Sequence, residues 1–241
     1  MKPVLPFRCQ QFTVHQKNTV MKVGTDGLLL GALASVPNST NSILEIGSGT
    51  GLISLMLAQR SRADQIDAVE IQEDAYELSV TNFENSPWGD RLFCYHVSFQ
   101  EFAEEIDDKY DLIISNPPFF TSGLKSTSNQ RNTERFTDTL PFEAICTGAV
   151  KLLSDRGTLC LILPYDQFKI FSRNANSQGL HLQKSILIQG QPTGITNRII
   201  CSYTLQPESD PIQDNFVVRN EDGTYSNEYK EITKAFHFPS L

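Results

Sequence analysis

Ile43-Leu44-Glu45-Ile46-Gly47-Ser48-Gly49-Thr50-Gly51 decides how the rest of the chain is read. An apolar run, a turn with glycine at every second position and a helical pattern carried by Leu52, Leu55, Met56 and Gln59 follow one another without a break. That order is strand, turn, helix, the opening unit of a parallel sheet covered by helices. A glycine turn at a strand's end lets a nucleotide-like ligand meet backbone N–H groups at a helix N-terminus. Its spacing is G-x-G-x-G, which departs from the G-x-G-x-x-G of dinucleotide sites.

Downstream the alternation continues. Strands are predicted over Ile66–Ile71, Arg91–Val97, Tyr110–Ser115, Thr158–Leu163, His181–Ile188 and Arg198–Leu205, with helices over Glu73–Asn85, from Pro141 onward, and over Asp166–Ser177. The loop 189–197 carries no helical pattern, so the last two strands are expected to pair as an antiparallel hairpin. The expected fold is a Rossmann-like α/β domain with a seven-stranded, mostly parallel sheet, helices on both faces and an antiparallel last hairpin. Upstream, Phe12–Val14 and Thr19–Val23 read as a hairpin, and Thr25 as the N-cap of a following helix with Asp26 in its first turn. Residues 1–42 form an N-terminal hairpin and helix, 43–205 the core fold, and 206–241 an extension with a short strand at Phe216–Arg219 and a final helix over Tyr225–Phe238.

Composition narrows the function classes. The chain has 241 residues, 39% of them hydrophobic and 20% charged, as expected of a globular protein with a sizeable core. No apolar run approaches the ~20 residues of a membrane span, and no secretion signal is evident. Five scattered cysteines without C-x-x-C spacing and four dispersed histidines argue against disulfides and zinc and fit a reducing cytoplasm. A net charge of −8 argues against general nucleic-acid binding but leaves room for a local basic face.

Two further features share the glycine turn's edge of the sheet. Glu70 ends the second core strand, where a carboxylate can accept both ribose hydroxyls. Asn116-Pro117-Pro118-Phe119 follows the fourth. An Asn offers an acceptor and two donors in one plane, the prolines stiffen the backbone and remove N–H groups, and Phe119 can stack on a flat substrate. Alone, this tetrapeptide serves equally well as a strand-ending turn. Combined with the glycine turn and Glu70, it becomes the candidate catalytic centre.

Leu44–Gly51 and Glu70 resemble the cofactor motifs of class I S-adenosylmethionine-dependent methyltransferases. Asn116–Phe119 resembles the amine-methylating motif of that class, shared by members acting on adenine, guanine and glutamine. The blocks Met21–Gly27 with Leu30-Gly31-Ala32, Asn116–Phe120 and Tyr225-Ser226-Asn227-Glu228-Tyr229 are similar to the tRNA(Val) adenine-N(6)-methyltransferase family, a likeness running from about Phe12 to Phe238. The resemblance implies S-adenosyl-L-methionine as cofactor, the anticodon loop of tRNA(Val) as partner, and methylation of the adenine 3′ to the anticodon, with no metal and no membrane. It implies Asn116, Pro117 and Phe119 as catalytic residues. Lys22, Thr25, Asp26, Glu45, Gly47, Gly49, Gly51, Glu70, Ser98 and Asn116 would hold the cofactor, and Pro118, Phe120, Lys125, Arg131 and Arg135 the substrate. Ser98 stands where relatives usually place an acid for the cofactor's adenine amine, and a hydroxyl offers only a weaker, neutral hydrogen bond. The last three cations lie on the long polar loop 121–139, for which a solvated loop is the alternative. A protein glutamine methyltransferase and a guanine-modifying ribosomal RNA enzyme are the rival activities. A non-catalytic RNA- or cofactor-binding protein is the rival from another class.

Overall fold

The computed structural model describes residues 4–118, 140–207 and 210–236. Its centre is an eight-stranded sheet. In chain order the strands are β1 (Phe7–Arg8), β2 (Thr13–Val14), β3 (Ser42–Ile46), β4 (Gln65–Glu70), β5 (Leu92–His96), β6 (Tyr110–Ser115), β7 (Leu153–Pro164), β8 (His181–Gln189), β9 (Thr196–Thr204) and β10 (Ile212–Val217). The helices are α1 (Thr25–Leu33), α2 (Leu52–Arg60), α3 (Glu73–Glu84), α4 (Phe99–Glu105), α5 (Phe142–Leu152), α6 (Tyr165–Ser177) and α7 (Asn227–Thr233).

The large sheet runs β10-β8-β9-β7-β6-β3-β4-β5. Strands β3 to β7 pair in parallel, and β9 is antiparallel to both β7 and β8. Two reversals restore direction, so β8 and its parallel partner β10 point the same way as β7. The carboxyl ends of β3, β4, β6, β7, β8 and β10 and the start of β9 therefore share one edge.

Successive residues of a strand face opposite sides of a sheet, and the two cores follow that rule. Ile43 and Ile66 join a cluster with Leu29, Leu30, Leu55 and Met56 of α1 and α2. Leu44 and Val69 join the other, with Phe102, Ile145, Ala149 and Phe171 of α4, α5 and α6. Burying each such side chain contributes about 1.5–3 kcal/mol. Helices α1 and α2 approach so closely that a Cβ on Gly31 would meet the Met56 Sδ at 2.7 Å.

The fold class and the antiparallel β8–β9 hairpin agree with the sequence reading, and several details differ. The sheet gains an eighth strand, β10, which overlaps the short strand expected at Phe216–Arg219 only at Phe216 and Val217. Its first four residues are exposed, so the apolar alternation that marks a strand is absent there. Near the N-terminus the paired strands are Phe7–Arg8 and Thr13–Val14, and Thr19–Val23 forms no strand. Gly24, not Thr25, is the N-cap of α1, which has no side-chain cap. Pro141 likewise stands at the N-cap of α5 rather than inside it. Helix α4 was not foreseen, and α7 covers a shorter span than the Tyr225–Phe238 pattern suggested.

Candidate functional site

Glu70, the glycine turn and Asn116 end three adjacent strands, β4, β3 and β6. Gly47, Gly49 and Gly51 all adopt positive φ, at 76°, 56° and 75°. A Cβ on Gly47 or Gly49 would meet nothing within 4 Å, so the backbone there faces open space that a ligand can enter. Gly51 is different: its Cβ would meet Phe83 of α3 at 2.5 Å, so this glycine also serves packing.

The turn is fixed from three sides. The Gly47 N–H donates to the Val69 carbonyl (2.9 Å) and the Gly49 N–H to the Glu70 Oε2 (2.9 Å), tying it to β4. From α3, the Ser79 Oγ donates to the Gly49 carbonyl (3.1 Å) and the Asn82 Nδ2 to the Thr50 carbonyl (2.9 Å). Beneath the turn, the Glu45 Oε2 accepts the Ser54 N–H at 3.0 Å and the Ser54 hydroxyl. Burial pushes the Glu45 carboxyl up to about 8. At 1% exposure, Glu45 supports the turn and the first turn of α2 from within rather than lining the open face.

Glu70 is held in place by its neighbours. Its Oε1 accepts the Gln72 N–H at 2.9 Å, and its Oε2 the Gly49 N–H. Each carboxylate oxygen keeps a second lone pair, enough for a pair of hydroxyls. One residue on, Ile71 is 46% exposed, an apolar surface on the ligand edge that sequence reasoning passed over. The signal was available: it directly follows the strand-ending acid.

Asn116 stands on the other side of the turn. Ser115 pairs in register with Ile46, and its Oγ donates to the Ile46 carbonyl at 2.8 Å, so Asn116 emerges about one strand spacing (~5 Å) from Gly47. The Asn116 Oδ1 is buried and has no hydrogen-bond partner among the described residues. An unsatisfied buried carbonyl costs about 1–3 kcal/mol, so this acceptor is set to receive a donor from outside. Pro117 is buried and Pro118 half-buried beside it. Phe119, Phe120, Lys125, Arg131 and Arg135 lie outside the described residues.

The remaining expected cofactor residues divide. The Asp26 Oδ2 accepts the Arg198 Nε at 2.9 Å, anchoring the first turn of α1 to the start of β9 on the ligand edge. Lys22 and Thr25 are exposed beside it. Ser98 is occupied as a helix cap. Its Oγ accepts the Glu101 N–H (3.2 Å) and donates to the Glu101 carboxylate (2.6 Å), closing a capping box at the start of α4. The sequence S-x-x-E at residues 98–101 carries that signal, and reading Ser98 as a ligand contact hid both the cap and the helix. His96 stacks on Tyr76 (5.1 Å between ring centroids) and contacts the Ile71 carbonyl (3.2 Å), as suits a structural side chain. Among the described residues no group of His, Cys, Asp or Glu side chains is arranged to hold a metal ion, and no helix is long and apolar enough to cross a membrane.

The model of the methyltransferase small domain matches residues 17–167, which span the glycine turn, Glu70 and Asn116. The chain belongs to the methyltransferase small domain family. Similar proteins include the tRNA1(Val) (adenine(37)-N6)-methyltransferase of Flavobacterium psychrophilum, 47% identical over 231 residues, covering 96% of this chain and 98% of that protein. The protein of the same name from Christiangramia forsetii is 46% identical, with 96% and 97% covered. Among solved structures, a predicted O-methyltransferase from Agrobacterium tumefaciens superposes with a TM-score of 0.66 at 15% identity, over 88% of this chain and 96% of that one. At that identity the likeness concerns the fold alone. The methyltransferase small domain match ends at residue 167, before β8, β9, β10 and α7, whereas the tRNA-modifying relatives align over 96% of the chain.

Proposed function

We propose that this protein transfers a methyl group from S-adenosyl-L-methionine to the exocyclic amine of adenine 37 in tRNA1(Val), in the anticodon loop. The observation that carries the reading is the buried Asn116 Oδ1, without a hydrogen-bond partner among the described residues, beside an open glycine turn. The names of relatives sharing up to 47% of their residues with it supply the substrate.

The residues present fit the cofactor. The open faces of Gly47 and Gly49 admit it against the backbone, the spare lone pairs of Glu70 take its ribose, and Lys22, Thr25 and Asp26 close its methionine end. Bound there, S-adenosylmethionine supplies an electrophilic methyl group. The chain's own work is done at the amine, whose lone pair is delocalised into the adenine ring. Asn116 Oδ1 and the Pro117 carbonyl accept the two amine hydrogens, which favours a pyramidal nitrogen with its lone pair directed at the methyl. Pro118 and Phe119 hold the base after it leaves its own stack, Phe119 by stacking. Positioning of this kind can lower a barrier by about 7–11 kcal/mol. Forming the C–N bond would break the methyl–sulfur bond, whose electron pair stays on sulfur as a neutral thioether, and the nitrogen would then release one of its two original hydrogens to solvent as a proton.

The test is nucleoside mass spectrometry after incubating the purified protein with S-adenosylmethionine and unmodified tRNA. N(6)-methyladenosine confined to tRNA1(Val), at the nucleotide 3′ to the anticodon, is the expected result. Methylation of glutamine in protein or of guanine in ribosomal RNA, with tRNA untouched, would overturn it.

A further inference from the structure

The block Tyr225–Tyr229 has no place in the methyl-transfer chemistry, yet it builds an ordered object. The Tyr225 and Tyr229 rings stack with centroids 4.4 Å apart and planes 11° from parallel. The Arg219 guanidinium carbon lies 4.2 Å over the Tyr225 ring. Two groups that close cannot share one face of a ring, so Arg219 covers the side of Tyr225 opposite Tyr229. The pile runs outward from buried Tyr229 through half-buried Tyr225 to exposed Arg219.

Its backbone is braced throughout. Arg219 and Tyr225 face each other across an antiparallel bridge, and the Asn220 N–H donates to the Thr224 carbonyl at 2.8 Å. The Arg219 Nη1 donates to the Gly223 carbonyl at 2.8 Å, which tethers the guanidinium over the ring. Ser226 caps α7 through the Tyr229 N–H (3.0 Å), and its hydroxyl donates to the Val217 carbonyl at 2.7 Å. An exposed, planar cation held over an aromatic pile is a surface on which an unstacked nucleobase can lie, by stacking on the guanidinium and by charge.

Position assigns it to the same ligand. Arg219 follows β10, whose carboxyl end lies on the edge that carries Asn116, and its N–H donates to the Gly190 carbonyl (3.0 Å) just past β8. Four strand intervals separate β6 from β10, or about 19 Å at ~4.8 Å each. Between them on that edge stand the β8–β9 turn, where Ile195 is 79% exposed, and Arg198. We propose that the Arg219–Tyr225–Tyr229 pile is a second RNA-binding subsite, stacking a loop nucleotide some distance from the methylated adenine. This rests on the tRNA reading above.

Binding separates the two. Fluorescence anisotropy with a labelled, unmodified tRNA1(Val) transcript, across a range of salt, is compared for the wild type, Arg219→Ala and Arg219→Lys. Arg219→Ala should weaken binding about tenfold, within the range for losing one stacked base, and lower the salt slope by about one. Arg219→Lys should retain the slope but still bind several-fold more weakly, because an ammonium has no plane. Cofactor affinity and kcat at saturating tRNA should be unchanged, leaving KM for tRNA as the kinetic change. A role limited to bracing α7 would lower the melting temperature and leave RNA affinity and slope alone, and that result overturns the proposal. So does a wild type that does not bind the transcript. A wild type that binds in the expected pattern but methylates no tRNA would overturn the proposed function and leave the subsite standing.

Discussion

The two sides of the ligand edge are built on opposite terms. Around the glycine turn polar groups are paired within the protein: Gly47 with Val69, Gly49 with Glu70 and Ser79, Thr50 with Asn82, and Glu45 with Ser54. One strand away, the Asn116 Oδ1 is buried with no partner among the described residues. The paired side fixes a shape before any ligand arrives. The unpaired side keeps an acceptor that no described residue satisfies, so under the proposed function its worth appears when a donor from the substrate is present.

The sharpest way to break this contrast is Asn116→Ala. Turnover should fall about 10²–10³-fold, the order seen when one preorganised polar contact is lost, while cofactor affinity measured by calorimetry stays within a factor of two or so. Equal losses in both would place Asn116 with the paired side. Next in size is Gly51→Ala, which sets a side chain at φ 75° against Phe83. Left-handed strain and overpacking together should remove about 3 kcal/mol of stability, read in a denaturant titration. A loss of cofactor binding with stability intact would mean that Gly51 meets the ligand rather than α3.

The smallest effect is expected from Glu45→Gln, and it depends on pH. Burial raises this carboxyl from an ordinary 4.5 to about 8. The folded protein therefore holds a proton there that the unfolded chain releases, so its contribution is complete below about 4.5 and declines as pH rises through about 8. Glutamine keeps an acceptor for Ser54 and does not titrate. The variant should gain on the wild type between about pH 4.5 and about pH 8 and level off above that, at about 2–4 °C of melting temperature per kcal/mol. Parallel curves would mean that Glu45 ionises freely beneath the turn.

The same contrast shows what could be read from the chain. The turn, Glu70 and Asn116 were legible because each ends a short run that is apolar except for one acid (Glu45, Asp67 or Asp111), and such near-continuous runs announce buried parallel strands. Strand β10 was seen only at its end, Phe216 and Val217, because the four exposed residues before them have little apolar pattern to show. Helix α4 was hidden because Ser98 was given to a ligand when Glu101 three residues later marked a cap. The family resemblance brought Asp26 to the site, but its partner could not be inferred, since Arg198 lies 172 positions further along and only folding brings the two together.

That separation also has a cost in time. At roughly 5–20 residues per second of synthesis, the ribosome needs about ten to thirty seconds after making Asp26 to reach Arg198, 172 residues later. Only in the later part of that interval, once Asn116 has been made, can the glycine turn and Asn116 be paired through β3 and β6, and the start of α1 still has no strand edge to tether it. A nascent chain thus holds the glycine turn, Glu70 and Asn116 before Asp26 can meet Arg198, and that contact is a clasp fastened from far along the polypeptide.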